Sequence, residues 1–86
     1  MYGGKEQTVK LLVENGLAGV MIDRFGKDIM MIPVDEEHFT VNVDVRVSGP
    51  FFGWIISLGE GVKIVGPDEV VEQMRMEITR LSRQYS

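Results

Sequence analysis

The 86-residue sequence contains no cysteine. That absence excludes disulfides and thiolate chemistry together. His38 is the only histidine, which removes the familiar zinc sites as well. Positive charge is scarce: 9 Lys and Arg stand against 13 Asp and Glu, giving a net charge of −4. Phosphate contacts dominate non-specific duplex affinity, so a domain with this balance binds double-stranded DNA poorly by itself, although a local basic patch remains compatible with it. No helix-turn-helix or other DNA-reading element is evident. No apolar run approaches the roughly 20 residues that span a bilayer. The opening MYGGKEQTVK has no apolar signal-peptide core. The expectation is a cytoplasmic protein without membrane contact. Linkers, low-complexity tracts and internal repeats are also missing, so residues 1–86 read as a single domain. A chain this short buries about 60–65% of its unfolded surface, which is enough for a modest core.

What the sequence does contain is alternation. QTVKLLVEN (7–15) sets Val9, Leu11 and Val13 on one side and Thr8, Lys10, Leu12 and Glu14 on the other, the period of a half-buried strand. Asn15-Gly16 supplies a turn through residues that tolerate positive φ. Leu17, Val20, Met21 and Phe25 fall on one helical stripe, and Gly26 is a natural stop. DIMMIPV (28–34) is a short apolar run expected as a strand, with Pro33 at its end or on an edge. HFTVNVDVRVS (38–48) alternates without a break, Phe39, Val41, Val43, Val45 and Val47 facing one way. Ser48 and Pro50 open a helix that closes at Gly59. GVKIVG (61–66) is a further strand, and Pro67 starts the last helix. That helix has acids near its start and arginines towards its end, as the helix dipole favours. Val71, Met74, Ile78, Leu81 and Tyr85 give it one face expected to pack.

The order is β-α-β-β-α-β with an extra C-terminal helix. It predicts an α+β fold: a ferredoxin-like split β-α-β sandwich, both crossover helices on one sheet face and the valine stripe as core. The other face then carries Lys10, Leu12, Asn42, Asp44, Arg46, Lys63 and Val65.

Within that order, FFGWIISLGEGVKIVGPDEVVEQM (51–74) resembles the C-terminal end of bacterial WYL-family transcriptional regulators. KLLVENGLAGVMIDRFGKD and FTVNVDVRVS match the same module in order, the C-terminal extension or WCX domain that follows the WYL domain. Trp54, SLG at 57–59 and GP at 66–67 are its landmarks, and the resemblance covers roughly residues 7–85. It implies a regulator of the DeoR-like type in three parts: a winged helix-turn-helix that binds DNA, a WYL barrel that senses a ligand, and this extension. The upstream two parts are absent from these residues, so duplex DNA binding by this segment alone is not expected. The resemblance implies a ferredoxin-like fold, dimer contacts, and a share in binding single-stranded DNA or a nucleotide-like effector. The implied partners are the regulator's own WYL domain and a second protomer. No cofactor and no metal is implied.

Several motifs have two readings. Phe51, Phe52 and Trp54 could form a stacking platform; their helical spacing favours packing, with Trp54 divided between core and interface. GEGVKIVG has the wrong glycine spacing for a phosphate loop and precedes a strand rather than a helix. DEEH (35–38) offers carboxylates and the histidine but reads as a solvated hairpin turn. No catalytic arrangement stands out, and the protein is not expected to be an enzyme. The uncovered sheet face, with Lys10, Arg46 and Lys63, lacks the aromatics that stack bases. Docking against another domain or subunit suits its mixed character better. Arg24 could recognise a phosphate, but pairing with Asp23, Asp28 or solvent is favoured. Arg24, Arg46, Lys63, Lys10 and Trp54 are therefore the candidates for effector contact or docking. The leading expectation is a non-catalytic regulatory, effector-sensing and dimerisation module; the alternative is a stand-alone interaction or oligomerisation domain without ligand.

Overall fold

Alternating apolar residues organise the sheet. The structure, a computed structural model, describes residues 6–86. β1 (Glu6–Glu14) and β3 (His38–Arg46) pair antiparallel along their whole length, from Glu6 opposite Arg46 to Glu14 opposite His38. β4 (Val62–Gly66) pairs with the other edge of β1, and β2 (Met31–Pro33) with the outer edge of β3, both antiparallel. The sheet order is β2-β3-β1-β4. Central β1 buries Val9, Leu11 and Val13 completely, and Phe39, Val41, Val43, Val62 and Ile64 continue the same layer.

Helices α1 (Ala18–Phe25), α2 (Gly49–Ser57) and α3 (Asp68–Gln84) supply the other half of the core. Met21 of α1, Phe51, Phe52 and Ile55 of α2, and Val70 of α3 join the valine layer in one cluster. Burying an aliphatic or phenylalanine side chain stabilises by about 1.5–3 kcal/mol, so this layer carries most of the fold's stability. The first two aromatics of FFGW are thus packing residues, as their spacing predicts. Among the described residues no helix is long and apolar enough to cross a membrane.

Local chemistry sets the helix ends. Ser48 accepts the Phe51 N–H at 3.5 Å, and Pro50 occupies the first turn, where a missing N–H costs nothing. Gly59, at φ 69°, takes a positive φ after α2, and Gly26, at φ 95° and ψ 166°, takes an extended positive-φ conformation after α1 that glycine alone adopts readily. A short 3-10 turn, Gly59–Gly61, then leads into β4. A Cβ on Gly61 would lie 2.5 Å from Leu17 Cδ1, so the glycine permits a close approach of this turn to the start of α1. GEG is a packing device here.

Two local expectations are corrected. Asn15-Gly16 does form a turn, but neither residue has positive φ; Asn15–Leu17 is a 3-10 turn leading into α1. Asn15 is instead used at long range. Its backbone N–H donates to Glu37 O at 2.8 Å and its side-chain amide to Glu36 O at 2.9 Å. The apolar run 28–34 contributes only three residues of strand, and Met30 remains 72% exposed. Among the described residues β2 has β3 on one side and no strand on the other. Pro33 offers no amide donor to prolong it.

Candidate functional site

Strand alternation that buries the valines points the intervening side chains away from the helices. Lys10, Asn42, Asp44, Arg46, Lys63 and Val65 are exposed on that second face, and Leu12 is half-buried among them. Among the described residues no helix buries it, since the residues that α1, α2 and α3 bury all join the opposite layer; Lys63, on the edge strand, also lines the groove beside α3. The register places Lys10 beside Asn42 on one flank and Gly66 on the other, while Lys63 stands opposite Leu12. Lys10 and Lys63 are therefore diagonal neighbours. The pairing slips between Lys10 and Leu11, whose partners are Gly66 and Ile64. Val65 is the extra residue of a bulge, which adds local twist to the edge of this face.

Arg46 stands apart from the two lysines, at the far end of the face, opposite Glu6. Between them the Thr8 hydroxyl donates to Asp44 Oδ1 at 2.5 Å, which holds a carboxylate in the middle of the surface. Three cations, Lys10, Arg46 and Lys63, thus share the face with three carboxylates, Glu6, Glu14 and Asp44. A nucleic-acid backbone calls for a net positive track. This face is instead mixed in sign and partly apolar. Among the described residues none of its three cations forms an ion pair within 4 Å.

The structure brings two other candidates together on the helical side. Arg24, at the end of α1, sets its guanidinium carbon 5.1 Å from the centroid of the Trp54 ring on α2. Phe25 meets the same indole edge-on, with centroids 5.6 Å apart. Trp54 is half-buried, and this sandwich links the end of α1 to α2. Arg24 is thus held by an aromatic face rather than by Asp23 or Asp28, the carboxylates adjacent to it in sequence. A cation over an aromatic ring near the surface contributes about 0.5–1 kcal/mol.

The polar turn behaves as its composition predicts. Asp35 accepts the Glu37 N–H at 2.7 Å, and His38 Nδ1 lies 3.0 Å from the same oxygen. The Glu37 amide and, second, the His38 side chain hold the Asp35 carboxyl below its ordinary value of 3.8. The donors all serve the turn itself.

Sequence periodicity places the five-residue stripe of α3 on one face, but the body of the fold covers only its beginning. Val71 and Met74 pack against the core and Leu81 is half-buried without reaching it, whereas Ile78 is 51% and Tyr85 86% exposed. α3 packs chiefly on β4, which is only five residues long, so a 17-residue helix outruns its support. An apolar groove of about 650 Å³ remains along the stripe, walled by Ile55 and Ile56 of α2 and by Val62 and Ile64 of β4. A second, more polar groove runs along the other flank of α3 past Gln7, Val47 and Phe52. The 3-4-3-4 spacing gave the stripe without showing how far it is covered; the mismatch in element lengths was the signal available.

Comparison with known proteins adds a family. No curated protein and no solved structure matches the chain. The family model described as the WCX domain matches residues 5–82, nearly the full length. On that match, the chain belongs to the WCX domain family.

Proposed function

We propose that this chain is the non-catalytic C-terminal regulatory extension of a WYL-type bacterial transcriptional regulator. In this reading it works in the cytoplasm, docks through its open sheet face against a WYL barrel, completes an effector site there, and helps to form a dimer. The observation that carries the docking part is the face itself: four strands wide and, among the described residues, buried by no helix and set with cations free of ion pairs. Membership in the WCX domain family supports the regulator context. The strand order β2-β3-β1-β4, with α1 joining β1 to β2 and α2 joining β3 to β4, supports the ferredoxin-like description of the sandwich. Arg24, presented by Trp54, is the contact proposed for an anionic or nucleotide-like part of the effector. DNA binding belongs to the helix-turn-helix segment of such a regulator. The competing reading, a stand-alone oligomerisation domain, draws on the uncovered stripe of α3 and needs no ligand.

The test is an amide NMR titration of the chain with a short single-stranded oligonucleotide at low salt, followed by addition of a WYL domain. Saturable shifts at Arg24, Lys10 or Lys63, lost on charge reversal, support an effector contact made by this segment. An unchanged spectrum removes independent effector binding and leaves docking, which the WYL domain should report as shifts along β1, β3 and β4. Shifts confined to the helical side on that second addition would refute docking through the sheet face.

A further inference from the structure

The two grooves that flank α3 differ in the sign of their charge. The polar one is lined by three glutamates, Glu69, Glu72 and Glu77, and by three arginines, Arg75, Arg80 and Arg83. Their charges cancel. The apolar one is lined by two cations, Lys63 and Arg75, and by no carboxylate. Acids outnumber bases by 13 to 9 in the chain, yet none enters this groove. The arrangement of α3 is the reason: its glutamates line the other flank, and Arg75 alone of its charged residues reaches both.

We propose that the apolar groove is a binding site for a small amphipathic anion, of the class of medium- and long-chain carboxylates. A volume of about 650 Å³ lies in the range of small-ligand sites, which combine apolar walls with a few polar groups. The walls run along α3 from Val71 to Leu81, about 15 Å of helix, so the apolar body they suit is long and narrow. Ile56 is 41% and Ile78 51% exposed, which leaves one side of the groove in water, as an amphiphile requires. Both cations have capacity for the head group. Lys63 forms no ion pair among the described residues. Arg75 meets Glu72 at 2.7 Å, but the two side chains are 70% and 61% exposed, and such surface pairs hold weakly. A guanidinium has five donors, so Arg75 can serve a second carboxylate as well.

The site does not rest on the function proposed above. Arg75 lies outside the sheet face, so failure of oligonucleotide or WYL binding leaves the groove standing, and failure here leaves docking standing.

The test is methyl NMR on the full chain labelled at isoleucine and methionine, titrated with decanoate below micelle formation. Ile55, Ile56, Met74 and Ile78 should shift together and saturate. Met30 and Ile32, 72% and 46% exposed around the far edge strand, should stay still, and they report any non-specific contact with the amphiphile. Octanoate, two methylenes shorter, should bind about tenfold more weakly. Decyltrimethylammonium carries the same tail with the opposite charge and should bind more weakly than decanoate. Arg75→Glu should weaken decanoate about fivefold, and Lys63→Glu with Arg75→Glu should reverse the preference between the two head groups. Both positions are exposed, so the variants should keep the fold, which circular dichroism checks. Shifts that do not saturate, or that are as large at Met30 and Ile32, overturn the site. Equal binding of the two head groups, or a preference unchanged in the double variant, overturns the selection of an anion. Groove methyls that ignore decanoate but move on addition of a WYL domain would make the groove a protein contact, which also overturns the proposal.

Discussion

Leu11 and Leu12 are neighbours in β1 and differ only in the face they join. Leu11 is 0% exposed at the centre of the sheet, between Val41 on β3 and Ile64 on β4. Leu12 lies half-buried on the open face, between Thr40 and Lys63. Leu11→Ala removes three buried carbons and leaves a cavity that the helices cannot close, at a cost of about 3 kcal/mol. Leu12→Ala removes the same atoms from a surface already open to water. It leaves no cavity and costs about 0.5–1 kcal/mol. A domain of this length has about 4–13 kcal/mol to lose. With a urea dependence of about 1 kcal/mol per molar for so small a chain, the midpoint should fall by about 3 M for Leu11→Ala and by no more than about 1 M for Leu12→Ala. Trp54 is the only tryptophan, and its seat between α1 and α2 makes its fluorescence a reporter of helix-layer packing. A Leu12→Ala variant as damaged as Leu11→Ala would show that the second face is covered in solution, and the docking surface proposed above would lose its basis. A harmless Leu11→Ala would refute the placement of the core.

Three further outcomes follow from local geometry. In a double-mutant cycle by urea denaturation, Arg24→Ala and Trp54→Phe should couple by about 0.5–1 kcal/mol; additivity would mean that the cation over the indole contributes nothing. The lowered pKa of Asp35 means that its turn is fully stabilised above its unfolded value of 3.8 and loses that contribution as pH falls through the lower folded one. A carboxyl NMR titration should find its midpoint below 3.8, moving part of the way back in His38→Ala; a midpoint at or above 3.8 would refute the turn's hydrogen bonding. Gly59→Ala meets no atom within 4 Å but must hold φ 69°, so it should cost about 1–2 kcal/mol through the backbone alone and should not be rescued by Leu17→Ala, whereas Gly61→Ala, which presses on Leu17, should be partly rescued by it.

The sequence made the sheet legible because period-two alternation assigns a face to every residue at once. Val9, Leu11, Val13, Phe39, Val41 and Val43 are buried, and Lys10, Asn42, Asp44, Arg46 and Lys63 point away, as the pattern requires. Alternation gives the face but not the position along it. Nothing in the spacing shows that Arg46 stands at the opposite end from Lys63, because that depends on which residues of β1 pair with β3 and β4. Ser48 and Gly59 were readable because caps act within one turn of chain. The role of Asn15 is hidden in the sequence for the converse reason. Its partners, Glu36 and Glu37, lie in a loop beyond a helix and a strand. The run 28–34 reads as a strand with Pro33 at its end or on an edge, and both hold, but nothing in its composition shows that only Met31–Pro33 pair. Arg24 and Trp54 were each singled out, but their contact crosses from one helix to another. Periodicity gives the α3 stripe but not its packing: Ile78 and Tyr85 stay exposed because the helix is longer than the strand beneath it.

The central position of β1 bears on how the chain assembles itself. The strand with the deepest burial is also the first of the described elements, and its contacts are made with distant segments: the Thr8–Asp44 hydrogen bond spans 36 residues. Only β2 and β3 are joined by a short local connection. During synthesis the Val9, Leu11 and Val13 face therefore remains without a partner until β3 and the helices have emerged, and β1 keeps one bare edge until β4 arrives. Loop-closure entropy opposes those pairings until they form. The hydrophobic strand that stabilises the finished domain is thus its main aggregation hazard while the domain is incomplete. Truncations that remove β4 should be the least tolerated, since they return β1 to that state permanently.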